Sequence, residues 1–341
     1  MSAATPATLL IQTAFIGDVI LATALVEYLA QHEPTTPLDV LVRRGNEGLL
    51  AGNPRIRRVL IWDKKTKKYP NLLRLLRQIR QAGYGRVVTM QRFASTGFLT
   101  AFSGAPERVG FAENPFSRFF TRRVPHQIGD GTHEVQRNLQ LLAAASPAAR
   151  PPRLYPTPAD EAAAAPYAAV GEYLCLAPTS VWFTKQYPTE KWLELLAALP
   201  PGLPVYLLGG PPDVAACEQL AQAAGRPGLV NLAGKLSLLA SAALMRGAVL
   251  NYVNDSAPMH LCSAVDAPVC AIFCSTVPAF GFGPLSTFSR VVEHLGPLAC
   301  RPCGLHGHAR CPLGHFRCAR EIETTQLLAV LAEAQAWCKR E

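Results

Sequence analysis

The 341-residue sequence predicts an α/β protein of two doubly wound, Rossmann-like domains facing across a cleft. Three observations carry that expectation. Short apolar runs alternate with stretches whose apolar residues recur at helical spacing, the rhythm of parallel strands covered by helices. Ala144–Pro166 interrupts the rhythm with Pro147, Pro151, Pro152, Pro156 and Pro158, which mark irregular or extended chain, so the boundary falls here, between domains 1–160 and 161–341. Beyond it the rhythm restarts over a similar length, and an apolar content of 49% supplies two cores.

In chain order, Thr8–Gln12 reads as a buried strand, Thr13–Asp18 as a turn, and Val19–Gln31 as a helix. Leu38–Val42 and Arg58–Ile61 are strands, Tyr69–Ala82 is a helix with its stripe at Leu72, Leu73, Leu75, Leu76 and Ile79, and Arg86–Met90 is a fourth strand. Glu107–Pro125 mixes Arg108, Arg118, Arg122 and Arg123 with Phe111, Phe116, Phe119 and Phe120, and a turn at Gly129–Thr132 lets Thr132 cap a helix that opens at His133. The second half has strands at Tyr173–Ala177, Val205–Leu208, Gly228–Asn231, Val249–Asn254 and Pro268–Cys274. Helices at Glu190–Ala198, Asp213–Ala223 and Leu238–Arg246, and one starting near Ala257, separate them. A last helix, Thr324–Trp337, is expected to pack back on the first domain.

No run of about 18 apolar residues and no basic-then-apolar leader is present, which predicts a cytoplasmic protein. Ten cysteines without a secretory signal fit a reducing compartment. The 33 Lys+Arg against 24 Asp+Glu give a net +9 and favour anionic partners. From Arg55 to Arg92 the only acid is Asp63. That basic stretch reads either as a solvated face or as a dock for anionic glycolipid at the inner membrane face; its poverty in stacking aromatics argues against nucleic acid. Leu208-Gly209-Gly210-Pro211 lacks both the dinucleotide and the P-loop spacing.

Asp18 lies at a helix start, where it can serve as a first-turn acid or as a carboxylate base, and Gly17 lets a ligand approach the backbone. Arg92 and Ser95 follow another strand end on the same rim; with Gly17 and His133 they are the candidate acceptor contacts. Lys185 is either a surface lysine or a point charge for a phosphate. Asn254-Asp255-Ser256-Ala257-Pro258 ends a strand and starts a helix capped by Asp255 or Ser256, an arrangement that suits a diphosphate and also occurs as an ordinary capped helix. Ser275 and Thr276 end the next strand with hydroxyls. Cys300, Cys303, Cys311 and Cys318 enclose His306, His308 and His315 in the loop 300–318. Four thiolates can close a structural zinc site, with free thiols or an iron–sulfur cluster as alternatives, and the loop is expected to lie outside the strand-edge cleft.

Phe15-Ile16-Gly17-Asp18-Val19-Ile20-Leu21, Phe183-Thr184-Lys185-Gln186-Tyr187-Pro188, Asn254-Asp255-Ser256 through His260, and Phe273–Pro284 together resemble glycosyltransferase family 9, the bacterial heptosyltransferases that build the lipopolysaccharide inner core. The resemblance spans nearly the whole chain. It implies a GT-B fold and an inverting, metal-independent transfer of a sugar from a nucleotide donor, commonly ADP-heptose, to a glycolipid hydroxyl, with no cofactor needed for catalysis. Asp18 matches the family's base; Thr184, Lys185, Asp255, Ser256, Ala257, His260, Ser275 and Thr276 match donor-binding positions. One departure stands out: the family often has Asp-Thr-Gly before its His, whereas here Pro258 supplies no N–H. A monomer with peripheral contact at the inner membrane is expected. Two alternatives remain, a sugar-nucleotide epimerase or hydrolase on the same fold and a non-enzymatic, zinc-bearing binder of polyanions.

Overall fold

The computed structural model describes residues 6–143 and 148–340; residues 144–147, where the irregular stretch was expected to begin, lie outside them. The chain divides into two compact units, Met1–Tyr155 and Pro156–Glu341.

In the first unit, β1 (Thr8–Ile11), β2 (Leu38–Arg43), β3 (Arg58–Trp62), β4 (Arg86–Thr89), β5 (Glu107–Phe111) and β6 (Arg122–Val124) form a parallel sheet in the order β3-β2-β1-β4-β5-β6. Four helices accompany it: α1 (Ile16–His32), α2 (Lys68–Ala82), α3 (Ala94–Ala101) and α4 (Glu134–Leu139). β1 is apolar apart from Thr8 and wholly buried, as a central parallel strand covered on both faces must be. Leu72, Leu75 and Ile79 of α2 and Leu99 of α3 join Leu9, Ile11, Leu41 and Val87 of the sheet in one core. α1 and α4 pack on each other.

The second unit opens with α5 (Pro158–Ala168) and continues β7 (Leu174–Ala177), α6 (Thr189–Ala198), β8 (Val205–Leu207), α7 (Val214–Ala224), β9 (Leu229–Asn231) and α8 (Leu238–Gly247). It ends with β10 (Leu250–Asn254), α9 (Ala257–Ala264), β11 (Val269–Phe273), β12 (Ser289–Glu293), α10 (Arg317–Arg320) and α11 (Thr324–Cys338). Its parallel sheet runs β12-β11-β10-β7-β8-β9. α11 buries Leu327, Val330, Leu331 and Ala334 and packs on α6 and β12 of the same unit.

Several stretches differ from the sequence expectation. Pro158 does not mark irregular chain but starts α5, where a first-turn proline forfeits no helical hydrogen bond. Thr157 caps it: the Asp160 amide donates to the Thr157 hydroxyl, and the Thr157 amide donates to the Asp160 carboxylate at 2.9 Å. β5, β6 and β12, which lie in the outer parts of the sheets, carry arginines and show no clean apolar run, and α3 is only eight residues long. His133, not Thr132, caps α4, its Nδ1 accepting from the Val135 amide at 3.1 Å.

The other Asp160 oxygen accepts from Ser237 Oγ at 2.6 Å, and Ser237 caps α8, so one carboxylate braces the starts of two packed helices. Those hydrogen bonds hold the Asp160 carboxyl below its ordinary range against the opposing effect of burial. Its contribution is therefore present above about pH 4 and lost as the pH falls through the lower folded value. Asp160→Ala is expected to lower stability at pH 7 by about 1–2 kcal/mol, checked by urea unfolding at pH 7 and again near pH 3, where the difference should shrink.

Candidate active site

Each sheet reverses its strand order once, between β1 and β4 in the first unit and between β7 and β10 in the second. At such a reversal the connections leaving the two strands part to opposite sides, opening space at their C-terminal ends. The candidate residues gather at these two places.

In the first unit the segments after β1 and β4 are tied side by side. Gln91 Oε1 accepts from both the amide and the hydroxyl of Thr13, at 3.1 and 2.7 Å. Asn46 donates to the Ala14 carbonyl, and Lys64 Nζ donates to the Thr13 carbonyl at 2.7 Å. Asn114 donates to the carbonyls of Gln91 and Phe93, so close to Gly97 that a Cβ there would lie 1.9 Å from its Oδ1. On this braced loop Asp18 stands in the first turn of α1 and accepts from the Phe15 amide at 3.0 Å.

Asp18 is half-buried, and burial raises its carboxyl from 3.8 to about 6, with the charge of Glu134 adding to the rise. The Phe15 amide and Arg43 oppose it. Glu134 is itself buried, yet a hydrogen bond with His126 and the charge of Arg137, whose Nε donates to it at 2.9 Å, outweigh that burial and hold it below the ordinary range. A carboxyl that keeps its proton up to about pH 6 thus sits in the field of one that loses it below the ordinary range. Lys64 is pushed down to about 8 by burial and by Arg43 and Lys68. Lys64, Gln91 and Asn114, each just after a strand end, and Glu134, at the start of α4, join the candidate site residues; polarity at an element boundary is the signal that each carries. Of the four candidate acceptor contacts, Gly17 adjoins Asp18 in α1, Arg92 is exposed after β4, Ser95 lies in the first turn of α3, and His133 is engaged as the α4 cap.

In the second unit Asn254, fully buried, holds the segment after β7: its amide donates to the Pro178 carbonyl at 2.9 Å and its oxygen accepts from the Tyr187 amide at 2.8 Å. Lys185 Nζ then meets Asp255 Oδ2 at 2.7 Å, and Thr276 Oγ1 donates to that oxygen at 2.6 Å. With its carboxylate so occupied, Asp255 is not the cap of α9. Ser256 holds that backbone position, half-buried with Ala257 and Pro258, and His260 is buried one turn on.

Thr184 and Ser275 lie side by side where the segments after β7 and β11 meet. Both are buried, and the Ser275 hydroxyl donates to Thr184 Oγ1 at 3.0 Å, which also accepts from the His308 amide at 2.7 Å. The Thr184 amide donates back to the His308 carbonyl, and the Cys303 amide donates to the Ser275 carbonyl. The cysteine-rich loop is therefore latched to the strand edge rather than standing apart from it. Gly307, at φ +74°, fits where a Cβ would lie 2.8 Å from Thr184 Oγ1 and 3.1 Å from Lys185 Cγ. Arg301 completes the latch, donating to the carbonyls of Cys274 and Thr276.

The expected zinc site does not match this geometry. Among the described residues no group of three or more His, Cys, Asp or Glu side chains is placed to hold a metal ion. Cys300, Cys303, Cys311 and Cys318 are free thiols, with His315 Nε2 at 3.9 Å from Cys300 Sγ. Hydrogen bonds with main-chain partners hold the loop instead.

A family model described as glycosyltransferase family 9 (heptosyltransferase) matches residues 72–305. The chain belongs to glycosyltransferase family 9. Lipopolysaccharide heptosyltransferase 1 of Pseudomonas aeruginosa is 29% identical over 314 residues, 86% of this chain and 85% of the relative. The structure of Escherichia coli ADP-heptose lipopolysaccharide heptosyltransferase II matches with a TM-score of 0.82 at 18% identity, covering 98% of this chain and 99% of that one. E. coli heptosyltransferase WaaC with ADP-2-deoxy-2-fluoro heptose matches at 0.68 and 20% identity, covering 96% and 99%. The fold of this family 9 enzyme is GT-B, as the resemblance implied. Membership sets aside both the epimerase or hydrolase and the non-enzymatic polyanion binder.

A carboxyl raised by the fold favours the folded state while protonated. The stabilisation is complete below about pH 4 and lost as the pH rises through about 6. Asp18→Asn is accordingly expected to raise stability at pH 8 by roughly 2 kcal/mol and to change it little at pH 4, checked by thermal unfolding at the two pH values.

Proposed function

We propose that this family 9 enzyme is an inverting, metal-independent heptosyltransferase that moves a heptose from ADP-heptose to a hydroxyl of a lipopolysaccharide-core glycolipid. The observation that carries the mechanism is Asp18: a half-buried carboxyl raised to about 6, held on a braced loop at the strand-order reversal. At neutral pH it is ionised yet more basic than an ordinary carboxylate, which suits a general base. The donor reading is supported by the solved relatives named for ADP-heptose.

In this mechanism Asp18 takes the proton of the acceptor hydroxyl as its oxygen bonds to the anomeric carbon. The bond from that carbon to the diphosphate breaks on the opposite face, and its electron pair leaves with ADP. A single displacement inverts the configuration. Charge gathering on the diphosphate is met by Lys185 and by the start of α9, where Ala257 carries an N–H and Pro258 does not. Asp255 and Thr276 hold the Lys185 ammonium in place, so Asp255 positions the cation rather than touching the phosphate. Ser256 and His260 flank the donor phosphates and sugar. Thr184 and Ser275 act from beneath, fixing the loop that backs Lys185. Gly17, Arg92, Ser95 and His133, with Lys64 and Arg43, form the acceptor side.

Calorimetry with ADP and with ADP-heptose is expected to show binding that Lys185→Ala weakens by tenfold or more, about the effect of one charge-assisted phosphate contact. Selective binding of UDP or GDP sugars instead would retain the fold and reject this donor. Asp18→Ala should lower turnover by roughly 10²–10⁴-fold with ADP affinity kept, the loss typical of a missing general base. The acid limb of the rate profile should lie near pH 6 and move to lower pH in Glu134→Gln, because that change removes the charge that raises Asp18.

A further inference from the structure

We propose that Cys300 and Cys303 form a redox modification site: exchange with a low-molecular-weight disulfide joins their sulfurs in a bridge, and the bridge weakens donor binding at Lys185. The run Cys300-Arg301-Pro302-Cys303 sets two thiols on one short turn, and both are half-buried. Of the other thiols only those of Cys311 and Cys338 are not buried. The Cys303 thiol donates to the Cys300 carbonyl at 3.2 Å, so its sulfur already lies against the residue it would join. His315 prepares the other sulfur. Its Nδ1 accepts from the Arg317 amide at 3.1 Å, which leaves the ring proton on Nε2, and Nε2 faces Cys300 Sγ at 3.9 Å. An N–H directed at a sulfur favours the thiolate, the form that attacks disulfides.

In the exchange the Cys300 thiolate attacks one sulfur of oxidised glutathione; the new S–S bond forms as the reagent's own breaks, and one glutathione thiolate leaves. Cys303 then loses its proton to solvent and attacks Cys300 Sγ, expelling the second glutathione. The electrons pass from the protein's sulfurs to the reagent, and the released thiolates take up the protons. The turn that reshapes to close this bridge also holds the donor side. Arg301, between the two cysteines, donates to the carbonyls of Cys274 and Thr276 at 2.8 and 2.7 Å, and the Cys303 amide donates to the Ser275 carbonyl at 2.8 Å. Thr276 in turn donates to Asp255, which meets Lys185. Further along the same loop, a Cβ on Gly307 would lie 3.1 Å from Lys185 Cγ, so the loop has no slack to absorb a shift.

The effect on donor binding rests on the donor reading of Lys185; the sulfur chemistry does not, and the test separates them. Peptide mapping of the reduced enzyme after oxidised glutathione is expected to place a disulfide between Cys300 and Cys303. Cys303→Ser should stop at a mixed disulfide on Cys300, Cys300→Ser should form neither product, and His315→Ala should react several-fold more slowly. Calorimetry should show the bridged enzyme binding ADP about tenfold more weakly, the loss of one charge-assisted contact, with recovery in dithiothreitol. Cys300→Ser should keep the affinity of the reduced enzyme before and after treatment, which also reports that it folds. A bridge between other cysteines, modification of Cys338 alone, a zinc or iron ion held in the purified enzyme by Cys300 or Cys303, or equal ADP affinity of the two forms would overturn the proposal. A reduced enzyme that binds neither ADP nor ADP-heptose would count against the proposed function, while the mapped bridge still decides the modification site.

Discussion

Parallel pairing between strands far apart in sequence, β1 with β4 and β7 with β10, is the constraint on which the rest of the molecule depends. Thr8 lies opposite Arg86, and Leu250 opposite Leu174, so each register brings together loops some seventy residues apart. Side chains then lock those loops to one another. Thr13 donates to Gln91 in the first unit, and Asn254 grips the Pro178 carbonyl and the Tyr187 amide in the second. The side chains of Thr13, Gln91 and Asn254 are buried, and these hydrogen bonds make the loops firm supports for the ionisable residues they carry.

Those supports give similar groups opposite characters. Asp18 has only main-chain hydrogen bonds against its burial and the field of Glu134, so the fold works against its charge. Glu134 is more deeply buried but has His126 and Arg137, and the fold maintains its charge. Asp255 is held by Lys185 and Thr276 together. The neighbours of each carboxylate, and not its depth alone, decide whether it retains or releases a proton.

The central strands and most helices were legible because burial on both faces enforces apolar runs and helical stripes. The start of α5 was hidden because Pro158 reads as a breaker until its place directly after the capping Thr157 is seen. The outer strands β5, β6 and β12 lack the apolar pattern that central burial would impose. At the site, Asp18, Lys185 and Asp255 stood out because each follows a recognisable strand end. Thr184 and Ser275 stood out for the same reason, but the Ser275 hydroxyl serves Thr184, and Thr184 in turn accepts from the His308 amide, a partnership across more than a hundred residues that no local pattern encodes. Glu134 escaped notice because its effect on Asp18 comes from packing α4 against α1. The cysteine spacing suggested a metal; the loop is held by its amides instead.

The hydrogen bonds described around Asp18 all come from residues before Tyr155, and those around Asp255 all from residues after it. Each of these two sets of residues is thus encoded by one uninterrupted segment of gene. Substitution, or exchange by recombination, on one side of that point alters one set of contacts and leaves the supports of the other intact. A lineage can vary the candidate residues carried by one unit while the hydrogen bonds that brace those of the other stay as they are.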